Sequence, residues 1–214
     1  EGVLGWVRGV TSSPHALTRR IAIAGLCLVA AAGIAAYALM STPQGQRSTG
    51  EALVGGPFTM VKHSGEAVTE KTFAGKPMLV FFGYTFCPDV CPLDMARNAD
   101  AVDKLEAQGI EVTPVFITID PERDTPAALA DYAANLHPKL VALTGSPEQV
   151  KAASQAYKTF YKKRETGDEY YLMDHSTFTY LMLPGTGFAD FFRQEITSDQ
   201  MAESVACFVK AGKA

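Results

Sequence analysis

Apolar runs separated by polar turns predict a series of β-strands in the larger, C-terminal part of the chain. The continuous apolar run MLVFFG, residues 78–83, is typical of a strand buried inside a sheet. The turn sequence PGTG, residues 184–187, lies between two apolar segments and is a hairpin signal. The predicted strands are a hairpin at 58–69 and segments 78–83, 112–120, 140–145, 178–183 and 188–193.

Helices are predicted between these strands. Apolar residues recur at helical spacing on one side of residues 92–107, while charged residues such as Asp94 and Arg97 occupy the other side. Two more helices begin where a hydroxyl residue precedes proline, at Thr125 and at Ser146. They are predicted to run to about residues 136 and 160, and a last helix starts near residue 198. This order of elements predicts an α/β fold with a mixed central sheet and helices on both faces.

The N-terminal part has a different pattern. Residues 21–40 contain no charged side chain and are long enough to cross a hydrocarbon core as one transmembrane helix. Arginines are more frequent before this segment than after it, so the positive-inside rule places residues 1–20 in the cytoplasm. A cleavable signal peptide is the alternative, since residues 36–38 form an A-x-A-like site.

The remaining chain is expected to face a periplasm-like space. Residues 41–57 are rich in Gly, Ser, Thr, Gln and Pro without an apolar period, as in a flexible linker. Residues 58–214 then form the folded domain. The net charge of −4 and the absence of a Lys/Arg block give no indication of nucleic-acid binding.

A pair of cysteines follows the first buried strand. Cys87 and Cys91 are separated by three residues, and Pro92 comes directly after the second cysteine. Because proline suits the first helical position, Cys91 is predicted at the helix N-cap, where the helix dipole lowers a thiol pKa. This spacing is wider than that of a CxxC motif, and it permits either a disulfide or a bound metal ion.

A metal site would need further ligands, and the sequence offers four histidines. His15 precedes the predicted membrane segment, and His63 and His137 are expected to be solvated surface residues. His175 lies before a late strand, where loops converge on the start of the first helix. Asp174 could orient its imidazole or cap the turn. A structural histidine remains the alternative, because a lone histidine is more often structural than a ligand.

Four separated blocks resemble one known family. FFGYTFCPDVCP, ITIDPERDTPAALADY, LTGSPEQV and YYLMDHSTFTYLM together are similar to the Sco/SenC family of cytochrome oxidase assembly proteins, over about residues 55–210. The resemblance implies a thioredoxin-like fold behind a single membrane anchor, in the periplasm or the mitochondrial intermembrane space. It also implies a copper site whose ligands are Cys87, Cys91 and His175. Two thiolates and an imidazole suit Cu(I) or Cu(II), although zinc would accept the same ligands.

Two functions are considered on this basis. The first is a copper metallochaperone that delivers its ion to the CuA site of cytochrome c oxidase subunit II, with residues 162–173 as a candidate docking loop or a solvated insertion. The second is a membrane-anchored thiol–disulfide oxidoreductase that uses Cys87 and Cys91 to reduce the acceptor's cysteines. Either function would involve other periplasmic copper chaperones or thioredoxin-like reductants as partners. A peroxidase or redox sensor on the same fold gains no support from His175.

Several other reactive or metal-binding side chains are predicted to be structural. The carboxylates Asp120, Glu122 and Asp124 fall between a strand and a helix, which favours turn and capping roles over a hard-metal site. Met173 is interpreted as a packing residue. Cys207, in the last helix, is expected to be a small buried core residue.

Overall fold

The computed structural model describes residues 54–164 and 170–212. Within them the strands are β1 (Thr59–Lys62), β2 (Ala67–Thr69), β3 (Met78–Gly83), β4 (Thr113–Thr118), β5 (Val141–Thr144), β6 (Tyr161–Lys163), β7 (Met173–His175), β8 (Thr179–Leu183) and β9 (Gly187–Phe192). The α-helices are α1 (Val90–Glu106), α2 (Pro126–Leu136), α3 (Pro147–Ala156) and α4 (Ser198–Ala211), and a short 3-10 helix covers Glu70–Phe73.

Seven of these strands form one mixed sheet in the order β2-β1-β5-β4-β3-β8-β9. The pairs β3–β4 and β4–β5 are parallel, and the other neighbours are antiparallel. β6 and β7 form a separate two-stranded antiparallel sheet. The α/β architecture and the mixed sheet predicted from the sequence are therefore confirmed.

Helices cover both faces of the large sheet. Successive side chains of a strand point to opposite faces, and β3 has apolar side chains on both. On one face, Leu79 of β3 packs in a cluster with buried residues of α1 and α4, including Val102 and Val205. On the other face, Phe82 of the same strand packs against Tyr157 at the end of α3, with ring centroids 5.3 Å apart. Burial on both faces explains why β3 is apolar throughout.

Local sequence signals place the starts of two helices. The side chain of Thr125 accepts a hydrogen bond from the amide of Ala128 at the start of α2, and Ser146 accepts one from Gln149 at the start of α3. α3 ends at Ala156, earlier than predicted, because Lys158 adopts a left-handed conformation with φ of 55° that does not continue a helix.

One side of α1 differs from the prediction. Asp94 was expected on the solvent side but is 1 % exposed. Its carboxylate lies 2.9 Å from Nη1 of Arg97, and that guanidinium also donates to the backbone oxygens of Arg193 and Gln194. The charged residues near the start of α1 therefore join the helix to the chain that follows β9.

The predicted cytoplasmic segment 1–20 and membrane span 21–40 lie outside the described residues, as does most of the predicted linker 41–57. In the part of the chain that the structure describes, every helix is too short or too polar to span a bilayer.

Candidate metal centre

The two cysteines lie where the chain passes from β3 into α1. Cys87 belongs to the turn, and its amide donates to the carbonyl oxygen of Tyr84 at 3.2 Å. The amide of Cys91 lies 3.5 Å from Sγ of Cys87, and Cys91 and Cys87 are 1 % and 8 % exposed respectively. A β-carbon at Gly83 would lie 2.9 Å from Sγ of Cys91, so the absence of a side chain there lets this sulfur pack against the end of β3.

The environment of Cys91 differs from the prediction in two respects. The N-cap of α1 is Asp89, so Cys91 lies inside the first turn of the helix rather than at its cap. Burial, together with the neighbouring Cys87 and Asp94, raises the pKa of the Cys91 thiol well above its ordinary value. Desolvation therefore outweighs the hydrogen bond with the backbone of Tyr84, which acts to lower the pKa. Without a cation this thiol stays protonated at neutral pH, whereas a bound metal ion supplies the charge that stabilises the thiolate.

His175 reaches the cysteines from the small sheet. It ends β7, where it is paired with Tyr161 of β6, and its Nε2 lies 3.3 Å from Sγ of Cys91. The other ring nitrogen, Nδ1, lies 2.8 Å from the carbonyl oxygen of Ser176 and donates its proton there. In the neutral ring this leaves the lone pair of Nε2 directed toward the sulfur, which is the arrangement of a metal-binding histidine.

Burial also favours the neutral form of this histidine. It lowers the pKa of His175, and the hydrogen bonds to the backbone of Ser176 and Phe82 and the nearby carboxylate of Asp174 only partly oppose the shift. The ring packs edge-on against Phe81 and Tyr84, with centroids 6.2 Å and 5.8 Å away. A neutral imidazole is the protonation state that binds a metal ion.

The three predicted site residues come together. Sγ of Cys87, Sγ of Cys91 and Nε2 of His175 all lie within 4.8 Å of one another, and they form the one group of this kind in residues 54–164 and 170–212. Two sulfurs bound to one ion at about 2.3 Å are at most about 4.6 Å apart. The donor atoms therefore fit a single metal ion after small side-chain movements.

Two other side chains differ from their sequence predictions. His137 was expected to be solvated, but it is 6 % exposed, and its Nε2 lies 3.1 Å from a carboxylate oxygen of Asp103 on α1. Cys207 was expected in the core, but it is exposed on α4. His63 remains near the surface and accepts a hydrogen bond from the amide of Ala142.

The carboxylates of the DPERDTP segment, for which turn and capping roles were predicted, bind other parts of the fold, and the cap of α2 is Thr125. Asp124 is fully buried and accepts hydrogen bonds from the amide and hydroxyl of Thr85 and from the hydroxyl of Thr118. These bonds attach the loop after β4 to the residues just before Cys87. Met173 packs in the core, and its amide donates to the hydroxyl oxygen of Tyr84 at 3.2 Å.

Comparison with known protein families shows to which family the chain belongs. A sequence model described as SCO1/SenC matches residues 46–210, which is most of the chain. The chain belongs to the SCO1/SenC family. It is 49 % identical to Protein SenC of Rhodobacter capsulatus over 168 residues, covering 78 % of this chain and 76 % of that protein. It is 40 % identical to the human mitochondrial protein SCO1 homolog over 168 residues, but these span only 56 % of the human protein and 77 % of this chain.

Solved structures of this family share the fold. The crystal structure of Arabidopsis thaliana ScoI with copper bound matches with a TM-score of 0.71 and 42 % sequence identity, covering 74 % of this chain and 99 % of the other. The thioredoxin-like α/β fold that the resemblance implied is therefore confirmed.

Proposed function

We propose that this protein is a copper metallochaperone that binds one copper ion through Cys87, Cys91 and His175. The observation that carries the proposal is the convergence of two sulfurs and one imidazole nitrogen within 4.8 Å, with Nε2 facing Sγ of Cys91 while Nδ1 donates to Ser176. Thiolates are the soft ligands that Cu(I) prefers, and imidazole binds both Cu(I) and Cu(II). The copper-bound structure of the Arabidopsis relative supports copper over zinc.

The chemistry of the site suits transfer of the ion. Three donors leave a copper ion with an open position, so an acceptor's thiolate or imidazole can bind before the donor's ligands leave. Copper here is the cargo. The chain's own residues hold it, keep it from water and release it by ligand exchange.

We further propose that the acceptor is the apo CuA site of cytochrome c oxidase subunit II, as membership of the Sco/SenC family implies. The predicted anchor at residues 21–40 and linker at 41–57 would place the domain outside the cytoplasmic membrane, or in the intermembrane space of a mitochondrion. Tethering to the same membrane as the oxidase raises the effective concentration of donor near acceptor.

Copper retention by the full-length chain tests the site. Cys87→Ser, Cys91→Ser and His175→Ala are each expected to weaken retention more than tenfold, since each removes a ligand. Cys207→Ser is the matched control, because it removes an exposed thiol on α4. Equal copper stoichiometry in wild type and His175→Ala would contradict the proposal, and competition with zinc checks metal selectivity.

Delivery is tested by mixing the copper-loaded chain with a reduced apo CuA domain. The proposal predicts that each dinuclear acceptor site takes up copper from two donor molecules, measured as the copper content of each protein after separation. An acceptor that stays empty while the donor keeps its copper would contradict the proposed delivery, but not the binding site.

A thiol–disulfide oxidoreductase is the second candidate. Cys87 and Cys91 are both free thiols, and their sulfurs are within 4.8 Å. In such a reaction the two thiols lose two electrons and two protons and become one disulfide, while a disulfide of the acceptor gains them and opens to two thiols. This function predicts that His175→Ala retains activity toward an oxidised CuA domain and that Cys87→Ser abolishes it.

A further inference from the structure

The histidine of the site is carried by a sheet that shares no strand with the large sheet. β6 and β7 pair only with each other, so His175 depends on other contacts for its position relative to the cysteines. One group of contacts involves Tyr171, which lies just before β7, and Arg123, in the loop that follows β4.

Arg123 contacts both the turn that leads to Cys87 and the residues just before β7. Its guanidinium carbon lies 3.7 Å from the ring centroid of Tyr171 and 4.8 Å from that of Phe86, the residue directly before Cys87. Its Nη1 also donates to the backbone oxygen of Tyr171 at 3.0 Å, and its Nε donates to Asp120. The guanidinium therefore packs against the rings of Phe86 and Tyr171 while it is hydrogen-bonded to the backbone of Tyr171 and to the carboxylate of Asp120.

The contacts of Tyr171 fix its ring from several directions. Its hydroxyl donates to Oδ1 of Asp120 at 2.7 Å, so Asp120 accepts from both partners of the stacked pair. Nζ of Lys163 lies 3.7 Å from the same ring centroid and pairs with Glu122 at 3.0 Å. The carboxylates of the loop therefore compensate the two cations that contact the Tyr171 ring.

We propose that Arg123 is a positioning residue for the metal centre, which sets the distance between the cysteine turn and His175 by clamping Phe86 and Tyr171. The inference rests on the proposed copper site, because the clamp acts on copper only through Cys87 and His175. Lysine cannot replace this residue, because an ammonium lacks the flat face and the separate donors that the clamp uses.

The test compares Arg123→Gln and Arg123→Lys with wild type in the full-length chain. Lys104→Gln is the control, since Lys104 also links two elements through ion pairs, to Asp100 of α1 and Asp199 of α4, without contacting the site. Three quantities are measured: hydrogen exchange of the amides of 171–176 without copper, copper retention, and the thiolate-to-Cu(II) charge-transfer absorption.

Both Arg123 variants are expected to exchange faster at residues 171–176, to retain copper about tenfold less, and to shift the charge-transfer band. Lys104→Gln should leave the band and the retention unchanged even if it lowers the melting temperature. Wild-type band position and retention in both Arg123 variants would overturn the inference while leaving the copper site intact. If wild type itself retains no copper, the proposed function fails. Hydrogen exchange without copper tests the contact separately: unchanged exchange at residues 171–176 in both Arg123 variants would overturn the positioning role of Arg123.

Discussion

The cysteine arm and the histidine arm of the site are built differently. The cysteine arm, residues 78–91, starts from β3, which is hydrogen-bonded to β4 on one side and β8 on the other and is buried along its whole length. The histidine arm, residues 161–164 and 170–175, contains a two-stranded sheet and three exposed cationic side chains, Lys162, Lys163 and Arg164. The first is part of the central core, and the second is attached to it largely through side chains.

This difference indicates how the site could bind and release an ion. Elements with few buried apolar contacts open locally at a lower free energy than core strands. We therefore expect the two sulfurs to keep their positions while the imidazole moves, so that His175 is the ligand most readily exchanged.

The largest effect is expected from Asp124→Ala, which acts on the cysteine arm. The change leaves the amide and hydroxyl of Thr85 and the hydroxyl of Thr118 without their acceptor in a buried site. We expect a loss of about 3 kcal/mol in the free energy of unfolding, measured by urea denaturation. Asp131→Ala, an exposed carboxylate on α2, is the control. A loss no larger than that of the control would show that these bonds do not hold the arm.

Gly83→Ala is expected to have the next largest effect. The added methyl group would meet Cε1 of Phe81 at 2.8 Å, Sγ of Cys91 at 2.9 Å and Cε2 of Phe116 at 3.0 Å. Overpacking of this kind costs about 2 kcal/mol, and displacement of the sulfur should also weaken copper retention. Gly75→Ala is the matched control, since a β-carbon added there would have no neighbouring atom within 4 Å. Wild-type retention in Gly83→Ala would contradict the tight packing of Cys91 against β3.

Tyr84→Phe probes the contact between the arms. It removes the acceptor of the Met173 amide and keeps the ring that packs against His175. We expect a loss of about 1 kcal/mol in unfolding free energy. Hydrogen exchange of the Met173 amide should rise more than that of β3 amides. An equal rise in hydrogen exchange at Met173 and in β3 would show that the histidine arm does not open separately from the core.

The smallest effect is expected from Arg164→Gln, on the histidine arm. Arg164 pairs with Asp174 next to the ligand histidine, and both side chains are about half exposed. An ion pair screened by solvent contributes little, so stability and copper retention should match wild type within error. A clear loss of retention would mean that this surface pair helps to position His175, contrary to the small contribution expected of an exposed ion pair.

Local signals in the sequence were sufficient for much of the fold. A hydroxyl residue followed by proline marks a helix start through contacts with the next few residues, as at Thr125 and Ser146. The apolar run of residues 78–83 was sufficient to predict β3 as a buried strand without information about the strands beside it. The cysteine pair was visible because both residues lie on one short segment, and His175 was singled out because loops converge at that edge of a sheet.

The errors arose where distant residues decide the outcome. The pKa of Cys91 depends on its burial, and the burial of His137 depends on α1, which is far from it along the chain. Arg123 and Tyr171 are 48 residues apart, so no local pattern shows their contact. Cys207 is different. Val205 is buried, and two residues further the helix has turned by about 200°, so helical periodicity could have placed this cysteine on the exposed side.

X-ray absorption of the copper-loaded full-length chain tests the central claim most directly. One copper ion held by Cys87, Cys91 and His175 predicts two sulfur neighbours at about 2.3 Å and imidazole scattering from one nitrogen neighbour at about 2.0 Å. The imidazole contribution should disappear in His175→Ala while the sulfur contribution remains. A copper environment that contains sulfur alone in wild type, or one that is identical in wild type and His175→Ala, would contradict the account.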